Sequence, residues 1–500
     1  MAADHRLGFR PVREEIRETL PTEGDVPEWL SGTLLRNGPG TWNAGRQPLT
    51  HWFDGFAMIR RFRFRDGEIE YANRFLDSEA YAHAREHGEL GYREFATDPP
   101  TGLLGRLRRL RSTEFTDNAC VDVCRIGDRY LATTESPLVT EIDPDSLETR
   151  GRYAFGDVTD TTTVHPQYDF DERELVGYGT RFGGGSTGGY TLFRVPDGSE
   201  DASIVGEIES DPPGYVHSFA LTPRYVVLTE PPFVPNRLAL VTGSSVIDGY
   251  EWRPERGTRF HVVDRQSGKT VARHRVPPFF TFHHVNAFER GEDGRTKVVV
   301  DLIAYEDASV IEALRLRRLV TASPSLPTGE LRRFSIPLDD SRGGNAVESA
   351  TIYPGHVELP MIDYAHRNTR EYRYAYGVGN RERPPEDFQN QLVKIDVRER
   401  EAETWSEERT YPGEPVFVPS LDRDEESESG NGDGNGNGTE DDGVLLSVVL
   451  DAEAERSFLL VIDADTMTER ARAWCPHPLP FGFHGQFYAE GQERPTRSMA

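Results

Sequence analysis

Lysine is nearly absent from this sequence. It occurs only at Lys269, Lys297 and Lys394, so arginine carries almost all of the positive charge. Cysteine is as scarce, at Cys120, Cys124 and Cys475, too few for a disulfide framework and in keeping with a reducing compartment. No apolar run reaches the length of about 18 residues that a membrane-spanning helix needs. The opening segment MAADHRLGFRPVREEIRETL lacks the apolar stretch of a secretory signal, so the expected location is cytoplasmic. Basic residues are outnumbered, 57 Lys+Arg against 84 Asp+Glu, for a net charge of −27. A chain of that sign repels phosphate backbones, which excludes a general nucleic-acid binder. Many carboxylates with almost no lysine is the composition of a halophilic protein. In concentrated salt a screening length of about 3 Å quenches the self-repulsion. An ordinary acidic cytosolic protein is the alternative.

Long helical periodicity is missing too, and alternation of apolar and polar residues dominates. HWFDGFAMIRRFRFRDGEIEYANRFL (51–76) holds two alternating runs joined by Asp66-Gly67, a hairpin signal. A strand ending in aspartate, a short polar turn and a second strand recur at Asp143, Asp264, Asp396 and Asp463. Their separations of 121, 132 and 67 residues are close to two, two and one units of about 65, and such repeats without intervening helices predict a β-propeller. About seven units fill the 500 residues. The expected fold is therefore all-β: one seven-bladed propeller domain over 1–500, with long loops capping one face. Two sandwiches in tandem are the competing architecture. The Gly-rich GYGTRFGGGSTGGY (177–190) lacks a strand–GxGxxG–helix setting and reads as a hairpin loop.

Two segments break the pattern. The acidic, Gly/Asn-rich stretch 422–443 offers no apolar core and reads as a disordered surface loop. In TGLLGRLRRLRS (101–112), Leu103, Leu104, Leu107 and Leu110 form one helical face beside four arginines. That suits a helix lying in a membrane interface, or else a short helix packed on the propeller.

Of the fourteen histidines, His165, His217, His283 and His484 lie in apolar or aromatic runs that read as strands. Their spacings of 52, 66 and 201 residues are blade-like, so inward-facing imidazoles would converge on the propeller axis as a metal site. Ordinary core histidines are the alternative. Four imidazoles without thiolate suit Fe, Cu, Ni or Zn, and structural zinc usually takes cysteines. A ferrous ion so held keeps its charge and leaves positions open for O₂. Such ligands need their second ring nitrogens anchored by carboxylates. Glu135, Glu358 and Glu414, each at the end of an apolar strand, are candidates; salt bridges to arginine are the other explanation. Cys120 and Cys124 alternate in a strand and read as buried.

Taken together, LLRNGPG (34–40), HWFDGFAMI (51–59), FTDNACVDV (115–123), YVHSFALTPRYVVLTEPP (215–232), FHHVNAFE (282–289), YRYAYGVG (372–379), DDGVLLSVVL (441–450) and the terminal FHGQFY resemble the carotenoid cleavage oxygenases. The likeness covers nearly the whole chain and is greatest to the animal branch. It implies a seven-bladed propeller with one Fe2+ on the axis, held by His165, His217, His283 and His484. The first histidine of the 283–284 pair is implied as ligand because relatives often replace the second. It implies Glu135, Glu358 and Glu414 as carboxylates behind the ligands. The leucines at 103, 104, 107 and 110 fall where animal relatives carry a membrane-contacting segment, which implies peripheral membrane association. The implied reaction is oxidative cleavage of a conjugated C=C bond of a carotenoid by O₂ into aldehydes or ketones. The metal carries the chemistry, and no side chain serves as nucleophile or base. β-Carotene cut centrally to retinal is the favoured substrate and apocarotenoid cleavage the alternative. Stilbene cleavage and isomerohydrolysis fit less well, and a non-catalytic protein- or sugar-binding propeller leaves the spacing of the histidines unexplained.

Overall fold

A computed structural model describes residues 4–100, 116–155, 160–182, 188–199, 201–236, 245–292, 295–338, 346–420 and 439–490. Leu103, Leu104, Leu107 and Leu110 lie outside these residues, as does most of 422–443. Seven sheets of four to six antiparallel strands form the blades of a propeller. The ring is closed by its two ends: the C-terminal strand Gly485–Ala489 pairs with the N-terminal strand Gly32–Arg36 in blade one. The innermost strands of blades two to seven begin at Asp122, Gln167, Ala220, His284, Val357 and Val416. Their separations are uneven because the connecting loops differ in length.

The local chemistry follows the sequence pattern. Asp66 and Gly67 both adopt left-handed φ, 51° and 75°, which a two-residue hairpin turn requires. The four repeated aspartates stand between the third and fourth strands of blades two, four, six and seven, as separations of two, two and one units demand. Each carboxylate caps its own turn: Asp143 accepts from the backbone N–H of Ser146 at 2.8 Å and Asp396 from that of Arg398 at 2.9 Å. Four residues on, Leu147, Gly268, Arg400 and Met467 take left-handed φ between 53° and 68°, reversing the chain. Neighbouring blades interdigitate through aromatic pairs. Phe155 meets Phe193 at 5.4 Å, Phe260 meets Phe334 at 5.2 Å and Tyr376 stacks on Phe417 at 5.6 Å.

Helices are short and lie in the connections; the longest described, Glu79–His87, is capped by Ser78 at its start and by left-handed Gly88 at its end. No described helix is long and apolar enough to cross a membrane.

Two expectations need correction. His165, His217, His283 and His484 are not within strands. His165 lies between the short inner strands Thr161–Thr162 and Gln167–Asp169, His217 three residues before Ala220–Leu221, and His283 and His484 one residue before theirs, outside the ladders, where a ring can turn toward the axis. Glu358 is the second residue of its strand, and Glu414 sits between the two short strands Thr410–Pro412 and Val416–Pro419. Within the acidic stretch 422–443, residues 439–443 are described and make specific contacts. Glu440 accepts from the backbone N–H groups of Arg373 and Tyr374 at 2.6 and 2.9 Å. Asp441 forms a buried ion pair with Lys394 at 2.6 Å. What it lacks in apolar surface this end of the loop replaces with a paired charge.

Lys394 and Asp441 are both almost fully buried, so removing one partner strands the other. Lys394→Met should lower the unfolding free energy by about 3–5 kcal/mol, read from the urea midpoint. The double variant with Asp441→Leu should recover much of that loss. Equal midpoints for Lys394→Met and the parent would show that the pair contributes nothing.

Candidate metal centre

The four histidines come from blades three, four, five and one, and the propeller brings their rings together. Ring centroids lie 4.9 Å apart for His165 and His217, 5.2 Å for His217 and His283, 5.1 Å for His283 and His484, and 4.6 Å for His484 and His165. His165, His283 and His484 each place one ring nitrogen within 4.8 Å of the others. His217 places Nε2 3.2 Å from Nε2 of His165. All four are buried.

Adjacent residues at a strand start face opposite ways, which separates the 283–284 pair. His284 turns from the axis, with Nδ1 2.8 Å from Ser218 Oγ and Nε2 2.7 Å from Thr229 Oγ1. Both its nitrogens are occupied. His283 Nε2 is buried with no partner among the described residues.

Behind each axial ring stands a carboxylate. His217 Nδ1 donates to Glu135 at 2.7 Å and His484 Nδ1 to Glu414 at 2.7 Å, and His283 Nδ1 to Glu358. The fourth is Asp122, 3.3 Å from His165 Nδ1. The sequence reading missed it: Asp122 opens the inner strand Asp122–Ile126, and nothing local marks its partner on another blade. These carboxylates come from blades two, six and seven, the blades that supply no axial histidine. They are held in turn: Tyr215 O–H donates to Glu135 and Tyr305 O–H to Glu358, each at 2.6 Å. Arg36 and the Gly485 N–H donate to Glu414. Arg36, Tyr215 and Tyr305 also escaped the sequence reading, because no local pattern marks a residue whose partner lies on another blade.

This network sets the charge of the site. Burial pushes the pKa of His283 down to about 4 and that of His484 down to about 3, so both rings are neutral at neutral pH. Burial alone would raise Glu358, but His283 and the Tyr305 hydroxyl outweigh it and hold the carboxyl near about 2. Burial pushes Glu414 up to about 7 while Arg36 pulls it down. Its three neighbours, Arg36, Gly485 N–H and His484 Nδ1–H, all donate, which matches an ionised, accept-only carboxylate.

With Nδ1–H committed to carboxylates, the Nε2 lone pairs converge on one point. Two lone pairs 3.2 Å apart repel unless a cation lies between them, and the orphaned His283 Nε2 has the same need. The donor set therefore fits a divalent transition metal with carboxylate-backed imidazole ligands. Burial raises the thiols of Cys120 and Cys475 far above their ordinary range, so neither offers a thiolate.

Beside the histidines opens an aromatic-lined cavity. Trp52, Phe53, Phe282, Tyr305 and Phe483 line it, and His217, His283 and His484 form one wall. The aromatic rings brace one another, Phe53 meeting Phe483 edge-on at 5.3 Å and Trp52 meeting Phe483 at 4.9 Å.

A family profile described as retinal pigment epithelial membrane protein matches residues 9–489. The chain is 37% identical to the chloroplastic carotenoid cleavage dioxygenase 8 homolog B of Oryza sativa subsp. japonica, over 96% of this chain and 84% of the relative. It is 32% identical to the β,β-carotene 15,15′-dioxygenase of Rattus norvegicus, over 95% and 89%. Among solved structures, a variant of the Synechocystis apocarotenoid oxygenase superposes with a TM-score of 0.82 at 25% identity, covering 97% of this chain and 98% of that one. A cobalt-substituted form of the same protein gives 0.82 at 26%, covering 97% and 98%.

Removing the charge behind one ring should weaken metal binding without emptying the ring of ligands. Glu358→Gln and Asp122→Asn are each expected to lower divalent-metal affinity by about 10- to 100-fold, measured by competition with a chelator. Affinities equal to the parent's would show that the carboxylates do not tune the imidazoles.

Proposed function

The chain belongs to the carotenoid cleavage oxygenase family, and we propose that it holds one Fe2+ on His165, His217, His283 and His484 and cleaves a carotenoid C=C bond with O₂. Family membership makes the chain an enzyme of oxidative carotenoid cleavage. The observation that carries the iron reading is the convergence of four buried, carboxylate-backed imidazoles on one wall of an aromatic cavity. Nitrogen ligands without thiolate favour iron over structural zinc. A relative solved in cobalt-substituted form accords with a first-row metal.

Bound ferrous iron supplies the redox centre for dioxygen, and both oxygen atoms end in the two carbonyl products. The protein positions and shields. Glu135, Glu358, Glu414 and Asp122 retain the Nδ1 protons and so keep every Nε2 aimed at the axis. Phe53, Phe282 and Phe483 exclude water and hold the polyene by shape, since a conjugated chain has no polar atom along its middle. No proton transfer by a side chain is needed.

Central cleavage of β-carotene to retinal is one substrate reading, in line with the name of the rat relative. A second reading, cleavage of an apocarotenoid, is favoured by a specific feature of the cavity wall, the buried and unmatched His356 Nε2. Substrates this apolar reside in membranes. Leu103, Leu104, Leu107 and Leu110 would then dock the cavity mouth on a lipid surface.

Purified protein should contain about one iron per chain, lost with cleavage in His484→Ala. Incubation with O₂ should turn β-carotene into retinal, or an apocarotenal into shorter dicarbonyls, by chromatography. Protein that carries iron and leaves both polyenes intact would overturn the cleavage reading. Leu103→Asp with Leu107→Asp should reduce partitioning onto phospholipid vesicles several-fold at unchanged iron content. Unaltered sedimentation with vesicles would refute the docking segment.

A further inference from the structure

His356 stands one residue before the inner strand Val357–Met361 of blade six and is buried at 4% exposure. Its Nδ1 accepts a hydrogen bond from the backbone N–H of Gly329 at 3.0 Å. The ring proton therefore resides on Nε2. That Nε2–H is buried and has no partner among the described residues, and His356 is one of the residues that line the aromatic cavity. Burial keeps the ring neutral, with a pKa near about 4 in spite of the nearby Glu358, so it presents one donor and no charge.

Several other polar groups of the same wall are already engaged. Tyr305 O–H is given to Glu358, Glu358 accepts from His283 and from the Leu359 N–H, and the axial imidazoles face one another. Gln389 lines the cavity too. It lies just past the register Val357↔Gly379↔Gln391, on the same edge of blade six as His356. A buried donor without an acceptor is unfavourable, and no described residue accepts from this one. A ligand can.

We propose that His356 Nε2–H hydrogen-bonds an oxygen atom at the end of the substrate, so that the cavity selects polyenes bearing a terminal carbonyl or hydroxyl group. This rests on the cavity being the carotenoid site. Its physical consequence is register. An apolar chain in an apolar tunnel can slide by one conjugated unit with little change in contact, and shape alone discriminates weakly. One hydrogen bond at a fixed end removes that freedom and sets which double bond lies against the axial histidines. The same donor works against a pure hydrocarbon, which leaves it unmatched; sites built to hydrogen-bond a substrate oxygen reject the analogue without it.

The test compares β-apo-8′-carotenal with β-carotene on the parent, His356→Phe and His356→Gln. Binding to metal-free protein is read by quenching of tryptophan fluorescence. His356→Phe should bind the aldehyde about tenfold more weakly, as loss of one well-placed hydrogen bond implies, with β-carotene bound as tightly as before or tighter. His356→Gln keeps a donor and should restore much of the aldehyde affinity. With iron bound, His356→Phe should spread cleavage of the aldehyde over neighbouring double bonds. Equal weakening for both ligands, or unchanged aldehyde affinity with a single product, would overturn the assignment. If the binding pattern holds while the iron-loaded parent cleaves neither polyene, the role of His356 stands and the cleavage reading falls.

Discussion

The structure depends on one recurring interaction, an imidazole Nδ1–H held by a carboxylate from a different blade. It occurs at His217 with Glu135, His283 with Glu358 and His484 with Glu414, and Asp122 stands close behind His165. Each pair fixes a tautomer and a ring direction together. Without them, four buried imidazoles would be free to rotate, to take up backbone hydrogen bonds as His51 does with Ile311, or to protonate and repel. The carboxylates would be equally unstable alone, since a buried anion without a partner is costly. Each set makes the other tolerable, and the convergence of lone pairs on the axis is the outcome.

That arrangement requires the ring of blades to close. His484 precedes the last strand, which completes the blade begun near residue 32. The centre is therefore assembled only when the chain's two ends have met, and Arg36 links the closure to the site by holding Glu414 and the Phe483 carbonyl. The cavity inherits its rigidity from the same closure, because Phe483 and Trp52, brought together from opposite ends of the chain, brace its wall. A preformed wall is what a polyene site needs, as shape must do most of the recognition.

Much of the plan was legible in the residues. Alternation and the repeated aspartate turns implied blades, and the turns fall where a fourfold hairpin register puts them. Asp143, Asp264, Asp396 and Asp463 are readable because their carboxylates bond within a few residues of themselves. The blade-like spacing of the histidines is readable for a related reason: equivalent positions of a repeat share an axis. Asp122 was passed over because a carboxylate that opens a strand has no local sign of its partner 43 residues away. The contacts of Asp441 are not legible in the sequence, because its partner Lys394 belongs to another blade and composition is silent on such a pair.

The sequence by itself determined the β architecture, the number of blades and the residue types able to hold a metal, because these follow from periodicity and from chemistry that acts over a few residues. Only the tertiary structure decided which nitrogen of each histidine faces the axis, that His283 and not His284 does so, and that His356 leaves a donor in the cavity wall. Those outcomes depend on hydrogen bonds between blades, and partners so distant along the chain become neighbours only when the ring has closed.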